Sequence, residues 1–264
     1  MSIIEISFAS KPFQDSAVLL SEKLQLPLHS DPSTTYDYLL SYTESGLSLV
    51  PSADKGYGPI QCDFAGGSHS HRRRFGGGNG QAIAKAIGVS GKFYPQVLDL
   101  TAGLGGDAFV LASLGCCVTM LERNPIVHSL LADGLERANL IAQGDPELST
   151  IMSRTKLIEV NSADYLQQGA SNDSVSADVV YLDPMFPERK KSAKVKKQMQ
   201  AFHAIVGTDP DADELLALAL DVANYRVVVK RPAGAEYMAG SKPSYSLEGK
   251  STRYDIYTLK KLPS

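Results

Sequence analysis

Val97-Leu98-Asp99-Leu100-Thr101-Ala102-Gly103-Leu104-Gly105-Gly106-Asp107 passes from an apolar run directly into glycines and small residues, then into an acid. The apolar part, 97–101, has the length of a buried strand, and the residues from Asp107 to Leu114 read as a helix stopped by Gly115. A glycine turn between strand and helix lets a ligand press against backbone, where the helix start offers partial positive charge. Working outward, the same rhythm recurs. Cys117 to Leu121 is a second strand, and Asn124-Pro125 starts a helix, with Asn as N-cap and Pro in the first turn; Ile126, Val127, Leu130, Leu131 and Leu135 form its buried stripe. Lys156 to Val160 is a third strand and Asp178 to Leu182 a fourth. A helix over 211–223 precedes the fifth, Arg226 to Lys230, and a hairpin pairs 245–247 with 254–259 around Glu248-Gly249-Lys250. The stretches 144–150 and 169–176 read as loops. Strands alternating with helices predict an α/β fold, an open and mostly parallel sheet with helices on both faces.

With 264 residues the chain has room for one large domain or a main domain with an appendage. It is 43% hydrophobic and 21% charged, a globular composition, and no apolar run approaches the roughly 18 residues of a membrane span. The start, Met1-Ser2-Ile3-Ile4-Glu5, has neither the basic nor the long apolar part of a secretory signal, which makes a cytoplasmic location the expectation. Cys62, Cys116 and Cys117 form no C-x-x-C pattern and read as buried small hydrophobes rather than redox groups. The net charge of −3 excludes a globally basic nucleic-acid binder, but the charges are unevenly spread. Phe64 to Leu98 holds five Lys/Arg and no acid, and Arg189 to Lys197 holds six Lys/Arg.

Residues 1–75 are expected to form a small α+β amino-terminal subdomain, and 76–264 the main domain. Ile3 to Phe8 suggests a strand, Ser16 to Leu24 a helix, and Tyr36 to Tyr42 with Leu47 to Pro51 a hairpin around Thr43-Glu44-Ser45-Gly46; Pro59 to Phe64 reads as a further strand, and 81–89 as a short helix. Between the two units lies Gly66-Gly67-Ser68-His69-Ser70-His71-Arg72-Arg73-Arg74-Phe75-Gly76-Gly77-Gly78-Asn79-Gly80. Glycines permit close backbone approach, and arginine forks suit phosphates and stack on bases, so nucleic-acid contact is expected here against the plainer reading of a flexible linker. His69 and His71 lack further ligands nearby, and no metal is expected.

Glu122 ends the second strand 19 residues after Gly103, where a carboxylate can accept from both hydroxyls of a ribose. Gly103, Gly105 and Ala108 formally satisfy the dinucleotide pattern G-x-G-x-x-G/A. Two features favour S-adenosylmethionine instead. The third strand ends in Asn161, Ser162 and Asp164, near an expected adenine, and the fourth in Asp183-Pro184-Met185-Phe186, for which a nicotinamide enzyme has no evident use.

An exocyclic amine on a base is a poor nucleophile because its lone pair is delocalised into the ring. Two acceptors, the Asp183 carboxylate and the Pro184 carbonyl, could hold its N–H groups and favour the pyramidal form, while Phe186 stacks on the base; catalysis would come mainly from orientation and electrostatics. The base must be unpaired or flipped, and the basic segment Arg189 to Lys197 directly follows, where flanking phosphates would run. On the residues alone, guanine N2 and adenine N6 stay open as targets, as does a non-catalytic RNA-binding protein that kept the fold.

Thr101-Ala102-Gly103-Leu104-Gly105, Leu121-Glu122-Arg123-Asn124-Pro125, Tyr181-Leu182-Asp183-Pro184-Met185-Phe186-Pro187 and Val228-Val229-Lys230-Arg231-Pro232 resemble the bacterial small-subunit ribosomal RNA methyltransferase J family, as do His71 to Gly78 and Arg253-Tyr254-Asp255-Ile256-Tyr257. The resemblance spans about residues 60 to 260. It implies a Rossmann-like class I methyltransferase with a mostly parallel seven-stranded sheet, using S-adenosylmethionine to methylate the N2 amine of one guanine in 16S ribosomal RNA, free or in the 30S subunit. Carried onto matching positions, it implies cofactor contacts at Gly106, Asp107, Glu122, Arg123, Asn161, Ser162 and Asp183, beside the turn residues Gly103 and Gly105. Gly106 stands where the family commonly has Arg, which leaves a backbone contact there.

Overall fold

The computed structural model describes residues 2–30, 35–66, 81–170, 175–185, 205, 207 and 212–263. Its main sheet is built from β4 (Gln96–Asp99), β5 (Cys117–Glu122), β6 (Thr155–Glu159), β7 (Ala177–Leu182), β8 (Ala223–Pro232), β9 (Tyr245–Glu248) and β10 (Thr252–Thr258), in the order β6-β5-β4-β7-β8-β10-β9. The first five are parallel; β10 runs antiparallel to β8 and β9 antiparallel to β10. The order reverses between β4 and β7. Both strands therefore aim their carboxyl ends at the crevice where open α/β sheets bind ligands. β7 reads ADVVYL because a central parallel strand is covered on both faces: Val179, Tyr181 and Val228 join one apolar cluster, Val180, Leu182 and Val229 the other.

The helices are α2 (Ala82–Ile87), α3 (Gly106–Ser113), α4 (Pro125–Ala142), α5 (Pro146–Met152), α6 (Ser162–Ala170) and α7 (Ala212–Val222). Asn124 caps α4 as its position predicts, its Oδ1 accepting from the N–H groups of Ile126 (3.0 Å) and Val127 (3.2 Å). The stretch 144–150 departs from expectation. Asp145 accepts from Leu148 N–H at 3.0 Å and Pro146 takes the first helical position, so a seven-residue helix forms and buries Leu148, Ile151 and Met152. Pro59 to Phe64 is not a strand: only Ile60 bridges, to Leu49. Of the two adjacent cysteines Cys116 is buried and Cys117 exposed, since β5 begins there and successive residues alternate faces. Burial pushes the Cys62 and Cys116 thiols up to about 12.

The amino-terminal residues form a second sheet of β1 (Ile4–Phe8), β2 (Tyr38–Thr43) and β3 (Gly46–Pro51), ordered β1-β2-β3, with α1 (Gln14–Leu24) between the first two strands. β1 and β2 are parallel and β2 and β3 form the hairpin. Ile6, Leu40 and Leu49 belong to the same apolar cluster as Phe109, Leu130 and Leu131, so the small sheet packs into the core of the large one. The seam runs along α4. Arg137 pairs with Asp133 at 2.8 Å and donates to the Cys62 carbonyl, and a Cβ on Gly134 would stand 2.4 Å from Cys62 Cβ and 3.0 Å from its backbone oxygen. Lys23 of α1 reaches Glu159 at the end of β6 at 2.7 Å.

Gly134→Ala should therefore destabilise the protein by about 1–3 kcal/mol, although alanine is the better helix former by about 1 kcal/mol. Chemical denaturation measures this, and a stabilised variant would show that the seam yields freely.

Candidate active site

The carboxyl ends of β4, β5 and β7, the first turns of α3 and α6, and Leu215 of α7 enclose a cavity of about 290 Å³. Gly103, Gly106, Asp107, Glu122, Arg123, Asn161, Ser162 and Asp183 all line it, although they come from four separate segments of the chain. Gly105 stands behind the turn. Its φ of 71° is left-handed, and a Cβ there would come within 2.7 Å of Leu131 Cδ1, so glycine at this position serves the turn and its packing. Gly103 also has positive φ, 54°, but no atom within 4 Å of an added Cβ.

Glu122 is buried at the end of β5, and its two oxygens hold two different pieces of backbone. Oε2 accepts from Gly103 N–H at 2.9 Å and Oε1 from Asn124 N–H at 2.8 Å. The carboxylate thus locks the glycine turn to the start of α4 at the cavity wall. Asn161 caps α6 through Oδ1, which accepts from Ala163 N–H at 2.8 Å, and its amide hydrogens are what it can offer a ligand. Ser162 donates to the Leu100 carbonyl at 2.6 Å, tying α6 to the end of β4. Asp164 is exposed and lies outside the lining.

The substrate side is organised by a residue the sequence left without a role. Lys230, on β8 beside β7, donates to Asp107 Oδ2 at 2.7 Å and to Asp183 Oδ2 at 2.8 Å. The Tyr181 hydroxyl donates to Asp107 Oδ2 at 2.6 Å, and the Thr101 hydroxyl accepts from Asp183 N–H at 2.6 Å. Burial disfavours the Lys230 ammonium, but Asp183 and Asp107 more than offset this and raise its pKa. Desolvation raises the Asp183 pKa, with Lys230 opposing it. Asp99 lines the cavity too, and burial pushes its carboxyl up to about 8, aided by the nearby Asp107, Asp183 and Glu122 and opposed by the Thr101 N–H that it accepts at 3.0 Å. Pro184 is buried and Met185 lines the cavity, whereas Phe186, the arginines of 72–74 and the basic segment 189–197 lie outside the described residues.

Three carboxylates, Asp107, Glu122 and Asp183, and the Asp99 carboxyl, which burial keeps protonated to about pH 8, share the lining with two cations, Arg123 and Lys230. Such a cavity repels a pyrophosphate and suits a ligand carrying sulfonium and ammonium charge, while Leu100, Leu121 and Val127 supply apolar lining that a nucleobase can lie against. The residues present thus fit S-adenosylmethionine better than a dinucleotide.

Known proteins agree with this chemistry. A family model for SAM-dependent methyltransferases matches residues 20–259. A protein of Cellvibrio japonicus (strain Ueda107) named ribosomal RNA small subunit methyltransferase J is 52% identical, covering 96% of this chain and 97% of the relative. The chain belongs to the ribosomal RNA small subunit methyltransferase J family. A protein of that name from Pseudomonas aeruginosa (strain UCBPP-PA14) is 48% identical, over 98% of this chain and 96% of its own. The crystal structure of a SAM-dependent methyltransferase from Neisseria gonorrhoeae superposes with a TM-score of 0.73 at 35% identity, covering 96% of this chain and 95% of that one. Membership in the methyltransferase J family makes the chain an enzyme that uses S-adenosylmethionine, with the class I fold that the strand order displays.

Asp99 predicts a pH-dependent stability. An unfolded aspartate loses its proton near pH 4, whereas folded Asp99 keeps it to about 8, so ligand-free protein loses stability as pH rises through that window. Asp99→Asn should remove that part of the loss. Melting temperatures of both proteins from pH 4 to 9 would test it; parallel curves would refute the assignment.

Proposed function

We propose that this enzyme methylates the exocyclic N2 amine of a guanine in 16S ribosomal RNA, free or within the 30S subunit, in the cytoplasm. The observation that carries the catalytic part is the Asp183 carboxylate, fixed at the mouth of the cavity by Lys230 through Oδ2 and by Thr101 through its backbone. The polymer substrate follows from the names of the full-length relatives, and guanine N2 from the sequence resemblance.

S-adenosylmethionine supplies an electrophilic methyl group on a positively charged sulfur. Glu122, Asn161 and Ser162 bind the nucleoside part by the contacts their positions permit, and the glycine turn at 103–106 leaves the backbone open beside it. Among the described residues no donor engages Asp183 Oδ1, and that oxygen accepts one N–H of the target amine while the Pro184 carbonyl accepts the other. Holding both hydrogens turns the nitrogen lone pair toward the methyl carbon. The N–C bond then forms as the S–C bond breaks, and the extra proton leaves the nitrogen through Asp183 or to water. Lys230 keeps Asp183 ionised for this task. Phe186, two residues on, is assigned to stack on the base.

Incubation with labelled S-adenosylmethionine and 30S subunits or undermodified 16S RNA, followed by nucleoside analysis, should place the label on guanine N2. Label on adenine N6 would replace the target; none on any RNA would refute the proposal. Asp183→Ala should lower kcat by about 10²–10³-fold with folding preserved; near-normal turnover would remove Asp183 from its role.

The same geometry fixes a pH response. Asp183 must be ionised to accept, so activity falls as pH drops through its pKa. Lys230→Met removes the charge that holds this pKa down and should move the acid limb of the kcat profile to higher pH, with a loss of about 10–100-fold at its plateau. An acid limb that stays in place would show that Lys230 acts on Asp107 alone.

A further inference from the structure

Tyr237 follows β8 on the loop that leads to β9, and 38% of its surface is exposed. Four side-chain contacts hold this short loop. Arg231 donates to the Glu236 carbonyl, Asp213 accepts from Ala239 N–H at 2.7 Å, and the Tyr257 hydroxyl donates to the Ser241 carbonyl at 2.8 Å. The Arg253 guanidinium lies 4.9 Å from the centre of the Tyr237 ring. Arg253 is itself 7% exposed and fixed by a bidentate pair with fully buried Asp255, at 2.7 and 2.9 Å, whose Oδ1 also accepts from Ser246 at 2.6 Å. Next to the tyrosine, Met238 is buried and Ala239 sits at φ 52°, a left-handed conformation that alanine adopts only under constraint.

This restraint holds one ring at the end of the sheet that carries the active site. Arg253 pairs in register with Arg231, the neighbour of Lys230, and Asp213 lies in the first turn of α7, whose Leu215 lines the cavity. Two independent connections thus place Tyr237 at the same end of the sheet as Asp183. One side of the ring is backed by a guanidinium whose charge is already paired, and the ring keeps open surface toward solvent. A cap over Arg253 needs neither the strained Ala239 nor the separate pins on Glu236 and Ser241. A platform for a planar partner does, because stacking requires a ring that does not swing away.

We infer that Tyr237 is a stacking platform for an unpaired nucleobase of the RNA beside the target nucleotide. Aromatic side chains recognise splayed-out bases in this way, and a rigid platform at the Asp183 end of the sheet would hold the strand while the target enters the cavity. The exposed Lys250, at the turn between β9 and β10 on the same edge, can meet a phosphate of that strand. Tyr237 is a positioning residue, outside the reacting atoms and outside the cofactor cavity.

The inference rests on the RNA reading above, and one set of measurements separates the two. With whichever of 16S RNA or 30S subunits the wild type methylates, Tyr237→Ala should raise the KM for RNA about ten- to hundredfold. The kcat and the calorimetric affinity for S-adenosylmethionine should hold, and Tyr237→Phe should behave as wild type. A second measurement needs no variant: RNA carrying photoreactive 4-thiouridine near the target should cross-link to the peptide containing Tyr237. A wild type that methylates RNA with no cross-link at this peptide, or a Tyr237→Ala enzyme with unchanged KM, overturns the platform. A wild type that neither binds nor methylates RNA overturns the RNA reading itself.

Discussion

One ammonium group shared between two carboxylates holds the reactive end of this molecule together. Lys230 joins Asp107, in the first turn of α3, to Asp183, at the end of β7, from a strand that lies beside β7. Without it, two acids and the buried Tyr181 hydroxyl would face each other in a desolvated corner, and the cheapest relief would be to protonate a carboxylate. A protonated Asp183 would be a weaker acceptor at the one oxygen left for the amine. With the ammonium present, the pull of burial toward a protonated Asp183 is opposed, and one Asp183 oxygen is left for substrate. The pair and its cation are paid for by burial elsewhere in the sheet.

The cofactor side is held by a different device, side chains that grip backbone. Glu122 takes N–H groups from the glycine turn and from the start of α4, Thr101 takes the Asp183 N–H, and Ser162 gives its proton to the end of β4. Three of these contacts, all but the one to the start of α4, bridge two strand ends that the sheet alone would leave as separate loops. The cavity wall is therefore rigid where a ligand needs a fixed shape, and the negative charge of the lining is fixed along with it.

Much of this could be read from the chain because local rules wrote it. The Gly103 to Gly106 turn, the Asn124-Pro125 cap and the acid ending β5 each depend on neighbours a few residues away, and the strand and helix alternation follows from apolar period. What could not be read depends on strand adjacency. Lys230 is 47 residues from Asp183 and 123 from Asp107, and nothing in its own segment marks it as their partner; only the placement of β8 next to β7 does. Asp99 looked like part of a strand because its chemistry comes from burial, which a single sequence does not display. The helix at Pro146–Met152 was too short for a periodic signal, and its cap looked like loop composition. The parallel pairing of β1 with β2 was hidden for the same non-local reason.

The seam along α4 has a consequence for how the protein comes into being. Leu47 and Leu49 of β3, in the small amino-terminal sheet, are covered by a helix that begins only at Pro125. During vectorial synthesis those leucines leave the translating particle long before their cover exists. The first sheet must wait, either incompletely closed or transiently shielded, until α4 has emerged and the Arg137 contact to Cys62 can form. The nascent amino terminus thus carries uncovered apolar surface during synthesis, and its final docking is a late event in folding rather than the first.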